Sequence, residues 1–108
     1  MNATMPKTLV AAACAAVLGG CSFVDVQPNA RDVLVLANER VQDCERLGET
    51  RVSVAAQIGF IKRREKDVRR DLERLARNSA ADMGGDTVTP ESGIKEGKQT
   101  YGIYDCID

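Results

Sequence analysis

Residues 61–88 read IKRREKDVRRDLERLARNSAADMGGDTV, and this stretch decides the fold. Small and apolar residues recur in it at helical spacing and form one narrow stripe, made of Val68, Leu72, Leu75, Ala76, Ser79 and Met83. The periodicity predicts a helix from about Ile61 to Met83. Gly84 supplies the left-handed backbone position at which many helices end. Residues 86–89 then predict a short strand.

Outside the predicted helix, three further segments have the composition of strands: residues 32–36, 47–54 and 101–107. The first is rich in Val and Leu, which predicts burial on both faces. Residues 37–46 are either a polar connection or a turn of helix, residues 55–60 form an apolar link, and residues 90–100 predict a mobile polar loop. The order β-β-α-β-β predicts a small α+β domain with one long helix packed on an antiparallel or mixed sheet.

The N-terminus is typical of a bacterial lipoprotein signal. Lys7 precedes an apolar core at residues 8–18, and Leu18-Gly19-Gly20-Cys21 follows it. The apolar core is too short to span a bilayer, which needs roughly 20 residues. We expect residues 1–20 to be removed as a signal peptide and a lipid to be attached to Cys21. The alternative is an ordinary secretory signal in which Cys21 stands by coincidence.

The leader also predicts where the mature protein resides. Ser22 follows the modified cysteine, and an Asp there would favour retention in the inner membrane, so we expect the periplasmic face of the outer membrane. Residues 21–30 predict a lipidated tether, and residues 31–108 the domain. Nine residues of tether reach roughly 30 Å when fully extended. Partners are then the membrane through the lipid, with an envelope protein or the cell wall as further candidates.

The charge and composition of the chain argue against two classes of function, nucleic-acid binding and catalysis. The 108-residue chain carries 15 Lys and Arg against 16 Asp and Glu. Loss of Lys7 with the leader leaves a formal charge of −2, which argues against nucleic acid as a general partner. The chain contains no His, the usual general acid or base at neutral pH. We therefore expect no enzymatic activity, no catalytic residue, no cofactor and no metal.

Two cysteines remain in the mature domain, because Cys14 lies in the leader and Cys21 is expected to carry lipid. In the oxidising periplasm, Cys44 and Cys106 are expected to form a disulfide. The loop that this bond closes makes the expected stabilisation roughly 4 kcal/mol in the chain-entropy model. A redox pair or a metal site is the alternative, although the lack of His disfavours the metal.

Basic residues crowd one side of the predicted helix. At 100° per residue they fall within about 80° of arc, opposite the apolar stripe, and they are Arg63, Lys66, Arg70, Arg74 and Arg77. One interpretation is a surface that contacts anionic lipid headgroups or cell-wall carboxylates. The other is a solvated helix face with ordinary surface ion pairs.

Three segments together resemble an uncharacterised family of small proteobacterial lipoproteins, a domain of unknown function. They are residues 44–49 (CERLGE), 77–88 (RNSAADMGGDTV) and 104–106 (YDC). The family is distantly similar to the globular domain of the Rcs stress-sensor lipoprotein. The resemblance implies a role in envelope binding or stress signalling and brings no catalytic residues. A structural lipoprotein that uses the basic helix face is the alternative.

Overall fold

The computed structural model describes residues 24–107. The predicted signal peptide and lipidation site at Cys21 lie outside the described residues. The strands are β1 Leu34–Val35, β2 Glu45–Ser53, β3 Gln57–Ile58, β4 Ile61–Lys62, β5 Thr87–Pro90 and β6 Lys98–Asp105. The α-helix, α1, spans Glu65–Asp82, and two short 3-10 turns occupy Pro28–Ala30 and Asn38–Arg40.

Four of the strands form a mixed sheet in the order β1-β5-β6-β2. β1 runs parallel to β5, while β5 with β6 and β6 with β2 are antiparallel. The predicted α+β architecture, with one long helix packed across a sheet, is confirmed. The remaining strands, β3 and β4, pair with each other in a separate two-stranded hairpin.

The core lies between α1 and the sheet. Leu72, Ala76 and Ala80 are fully buried on the helix, and they meet a sheet face that contributes Val88, Tyr101 and Ile103. Burial raises the pKa of Tyr101, with the negative charge of Glu73 as a second cause. The predicted apolar stripe is confirmed in its centre. Leu75 is only partly buried, and Met83 is 44% exposed because it lies beyond the last helical turn.

The Gly84-Gly85 turn ends the helix as the sequence predicted. Gly84 has φ +79°, and the N–H groups of Gly84 and Gly85 donate to the carbonyls of Ala81 and Ala80 at 3.2 and 2.7 Å. These two bonds make up a Schellman motif, which satisfies the last carbonyls of the helix. Gly85 also permits close packing, since a Cβ there would lie 2.7 Å from Ile103 Cγ2.

Asp86 joins the end of this turn to the C-terminal segment. Its Oδ1 accepts from the Cys106 N–H at 2.8 Å, and its Oδ2 accepts from the Ile107 N–H at 2.7 Å. Burial raises the pKa of Asp86, but the hydrogen bonds from these two N–H groups and the Thr87 hydroxyl outweigh it, so the pKa is lowered. The expected disulfide is present beside it, with the Cα atoms of Cys44 and Cys106 4.6 Å apart.

Several predicted boundaries were wrong. α1 begins at Glu65 rather than Ile61, because residues 57–62 form the β3–β4 hairpin in place of the expected link and first helical turn. The first strand has only two residues, and Leu34 is 44% exposed because β1 is an edge strand. Residues 90–100 include the end of β5 and the start of β6.

Candidate functional site

Asn78 holds the segment that precedes the domain against the helix. The Gln27 N–H donates to Asn78 Oδ1 at 2.9 Å, and Asn78 Nδ2 donates to the Asp25 carbonyl at 2.9 Å. Between them, Val26 packs against the core. Residues 24–30, predicted from sequence as part of a tether, are therefore docked on α1.

Two arginines of the predicted basic face contact the same segment. Arg74 Nη1 donates to the Val24 carbonyl at 3.2 Å, and Arg77 Nη2 donates to the Arg31 carbonyl at 2.6 Å. Both side chains thus bind backbone of the chain itself. Neither lies on a fully exposed surface, since both residues are half-buried.

These contacts also fix the direction of the docked segment. Gln27 lies at Asn78 and Val24 lies at Arg74, so the segment runs parallel to α1. Four helical residues correspond to an axial rise of about 6 Å. Followed backwards from Gln27 to Val24, the chain heads toward the N-terminal end of the helix.

Arg63 differs most from its predicted role. It precedes α1, and its Nη2 lies 2.7 Å from Asp71 Oδ2. Only 9% of the Arg63 side chain and none of the Asp71 side chain is exposed. Arg63 Nη1 also donates to the Ala55 carbonyl at 3.2 Å, and the Arg63 N–H donates to the Ala56 carbonyl. Arg63 is therefore an internal ion-pair partner that ties the β3–β4 hairpin to the helix.

The remaining two basic residues are exposed. Lys66 lies in the first turn of α1, and Arg70 Nη1 is 3.4 Å from Asp67 Oδ1. The five predicted cations are thus not one surface: one is buried, two bind the docked segment, and two face solvent. Asp71 carried a signal that the sequence analysis missed. It borders the apolar stripe, where a carboxylate needs a partner.

The β3–β4 hairpin presents large apolar side chains to solvent. Ile58 is 54% exposed, Ile61 is 75% exposed, and Phe60 is fully exposed. Ile58 pairs with Ile61, so Gly59 and Phe60 are the two loop residues. Gly59 has φ +60°, and a left-handed φ at the first loop position is what a type II′ turn requires.

Cations flank this apolar tip. Lys62, Arg64 and Lys66 are all exposed. Within residues 24–107, no carboxylate lies within ion-pair distance of these three. The hairpin tip and the residues that follow it therefore combine exposed apolar side chains with cations that have no ion-pair partner in the described residues.

An open cleft of about 740 Å³ adjoins the base of the hairpin. Lys62, Arg63 and Glu65 line it on the hairpin side, and Ile94, Glu96 and Gly97 line it on the other. Among the residues that the structure describes, no three His, Cys, Asp or Glu side chains are grouped as metal ligands would be. In the same part of the chain, no helix has the length and apolar character to cross a membrane.

Comparison with known protein families identifies a match over most of the chain. The model of a family described as a domain of unknown function, DUF4156, matches residues 24–106. No curated protein and no solved structure matches the chain significantly.

Proposed function

This chain belongs to the DUF4156 family, and we propose that it is an outer-membrane lipoprotein that acts by non-covalent binding at the periplasmic face. The observation that carries the proposal is Leu18-Gly19-Gly20-Cys21 after an apolar core of eleven residues. The lipid on Cys21 anchors the protein, and the domain binds an envelope partner without turnover. Its biological class is an envelope-binding or stress-signalling accessory protein.

The docked segment supports action close to the membrane. Cys21 lies three residues before Val24, the first residue seen against α1. Three residues span at most about 10 Å, whereas a free tether of nine residues would reach roughly 30 Å. The domain is therefore held near the bilayer, and its partners are components of the membrane surface or proteins beside it.

The proposed signalling role rests on a distant resemblance of the family to the globular domain of the Rcs stress sensor. Residues 44–49, 77–88 and 104–106 carry the resemblance of this chain to the family. In this chain those segments contain the disulfide, the helix-ending turn and Asp86, which are structural features. The alternative, a structural lipoprotein that uses the basic helix face, has less support because only Lys66 and Arg70 of the five cations are exposed.

Metabolic labelling with palmitate tests the anchor. Cys21→Ser is expected to abolish labelling and to leave an unprocessed precursor, because the thiol that accepts lipid is lost. Cys14→Ser is the matched control, since Cys14 lies in the leader and its loss should leave labelling and processing unchanged. Normal labelling of Cys21→Ser, or loss of labelling in Cys14→Ser, would refute the assignment.

A further inference from the structure

We propose that the β3–β4 hairpin inserts its apolar tip into the interfacial region of a lipid bilayer that carries anionic headgroups. This inference deepens the proposed function and rests on it, because it supplies the anchored domain with a second contact to the same membrane. Phe60, Ile58 and Ile61 form the tip, and Lys62, Arg64 and Lys66 contact the headgroups.

The fold does not use the apolar side chains of the tip. Within residues 24–107, the buried cluster between α1 and the sheet contains none of Ile58, Phe60 and Ile61. The hairpin is a sheet of its own, and β3 and β4 pair with each other alone in the described chain. Exposing three large apolar side chains in and beside one turn is unfavourable in water, and such patches mark contact sites.

The charge around the tip selects the partner. Lys62, Arg64 and Lys66 have no carboxylate at ion-pair distance in the described residues, so their charge is available to an external anion. Apolar side chains beside Lys and Arg are the combination that interfacial membrane contacts use. A second copy of this hairpin would instead bring like charges together, which disfavours a symmetric dimer through the tip.

Chain direction brings the start of the described chain toward the end of α1 that carries the hairpin. Followed backwards to Val24, the chain heads toward the N-terminal end of α1, and β4 ends at Lys62, just before that end. From Arg74 to Glu65 the helix rises about 14 Å. Cys21 can lie about 10 Å beyond Val24. That reach covers most of the helix rise, so a lipid attached at Cys21 and an apolar tip at Phe60 can approach one bilayer surface together.

The base of the hairpin is attached to the helix, so insertion of the tip into the membrane would orient the whole domain. Arg63 separates the exposed Lys62 and Arg64 in sequence, yet its own side chain turns inward to the buried carboxylate of Asp71 at 2.7 Å. With the tip and the lipid both in the membrane, rotation of the domain about its anchor is restricted. A fixed face of the sheet is then presented to the periplasm.

Single-tryptophan fluorescence tests the proposal, because the chain contains no Trp. The full-length protein with Phe60→Trp is purified in detergent and reconstituted into vesicles of phosphatidylethanolamine and phosphatidylglycerol. We expect a shift of the emission to shorter wavelength and strong quenching by lipids brominated on the acyl chain. Ile107→Trp is the matched control: Ile107 is exposed beside Asp86, at the opposite end of α1, and should show neither effect.

Charge reversal tests the headgroup contact. In the Phe60→Trp background, Arg64→Glu should lower the inserted-to-free ratio about fivefold or more, from the roughly 1 kcal/mol that each basic residue contributes at an anionic surface. Arg40→Glu, an exposed cation in the Asn38–Arg40 turn, should have no effect. Vesicles of phosphatidylcholine alone should give weaker quenching of Phe60→Trp, as should added salt.

Three results would overturn the proposal. Emission of Phe60→Trp that is the same with and without anionic vesicles would show that the tip stays in water. A blue shift that depends on protein concentration without vesicles would show a second copy at the tip. An equal fall of the inserted-to-free ratio in Arg64→Glu and Arg40→Glu would show that Arg64 does not contact the headgroups. The mass of the N-terminal peptide in the same samples reports lipidation separately. Quenching of the tryptophan emission in a protein that carries no lipid would refute the anchor and support the hairpin contact.

Discussion

The two ends of α1 are built in opposite ways. At the C-terminal end, the Gly84-Gly85 turn, the Asp86 carboxylate and the Cys44–Cys106 disulfide connect four parts of the chain through short bonds. At the N-terminal end, the β3–β4 hairpin leaves Phe60 fully exposed and Ile61 75% exposed. The cross-links that stabilise the fold and the apolar surface available for contact therefore lie at opposite ends of one helix.

A buried ion pair connects the exposed end to the core. Arg63 and Asp71 join the hairpin base to the middle of α1 across a sequence distance of eight residues. Because a buried carboxylate is costly without its partner, the pair fixes the hairpin without adding apolar packing. The ion pair therefore holds the tip in place but leaves its apolar side chains exposed.

The largest effect is expected from breaking this pair. Asp71→Ala removes the carboxylate that balances the buried Arg63 guanidinium, and we expect a loss of about 3–5 kcal/mol in the free energy of unfolding. The double variant Arg63→Leu, Asp71→Leu removes both charges and should recover most of that loss. Urea denaturation checks both. A double variant that is no more stable than Asp71→Ala would show that the pair acts in some other way.

Removal of the disulfide tests the opposite end. Cys44→Ala with Cys106→Ala should cost about 2–5 kcal/mol, because the bond joins residues separated by 62 positions in sequence. Thermal unfolding with and without reductant measures the loss. Reductant should destabilise the wild-type protein and leave the variant unchanged. An equal response of both proteins would mean that this bond does not restrict the unfolded chain.

Elements with strong local signals could be predicted from the sequence. The helical spacing of Val68, Leu72 and Ala76 predicts α1, and the two glycines that follow it define its C-terminal end almost to the residue, whereas its start was predicted four residues too early. The disulfide was predicted from the expected compartment and the cysteine count. The short hairpin was missed because two strands of two residues each carry no measurable alternation, and Gly59-Phe60 is not a common turn pair.

The arrangement of the candidate site depends on contacts that have no periodic pattern. Arg74, Arg77 and Asn78 bind backbone groups of residues 24–31, some 46 to 53 positions away in sequence. A helical-wheel argument places such side chains on a solvent face and cannot show what docks there. Burial of Arg63 was equally hidden, although Asp71 beside the apolar stripe was a clue to an internal cation.

Acid should weaken the cross-linked end through protonation of Asp86. The pKa of Asp86 is lowered from 3.8 in the folded protein, so its contribution is complete above that pH and is lost as the pH falls through the folded pKa. At neutral pH, Asp86→Asn should cost about 1–3 kcal/mol, since Asn cannot accept as a charged group from both N–H donors. Denaturation between pH 7 and 2 should show a flatter loss of stability in Asp86→Asn than in wild type. Parallel curves would assign the acid sensitivity to other carboxylates.

The smallest effect is expected at the hairpin tip, and it tests most directly the claim that this end supplies surface and not stability. Phe60→Ser removes the most exposed apolar side chain of the protein, as described over residues 24–107. Urea denaturation should give a free energy of unfolding within about 0.5 kcal/mol of wild type, as for surface substitutions away from special features. A loss of about 3–5 kcal/mol, the usual cost of removing a buried phenylalanine, would instead show that Phe60 packs within the fold and that the hairpin tip contributes to its stability.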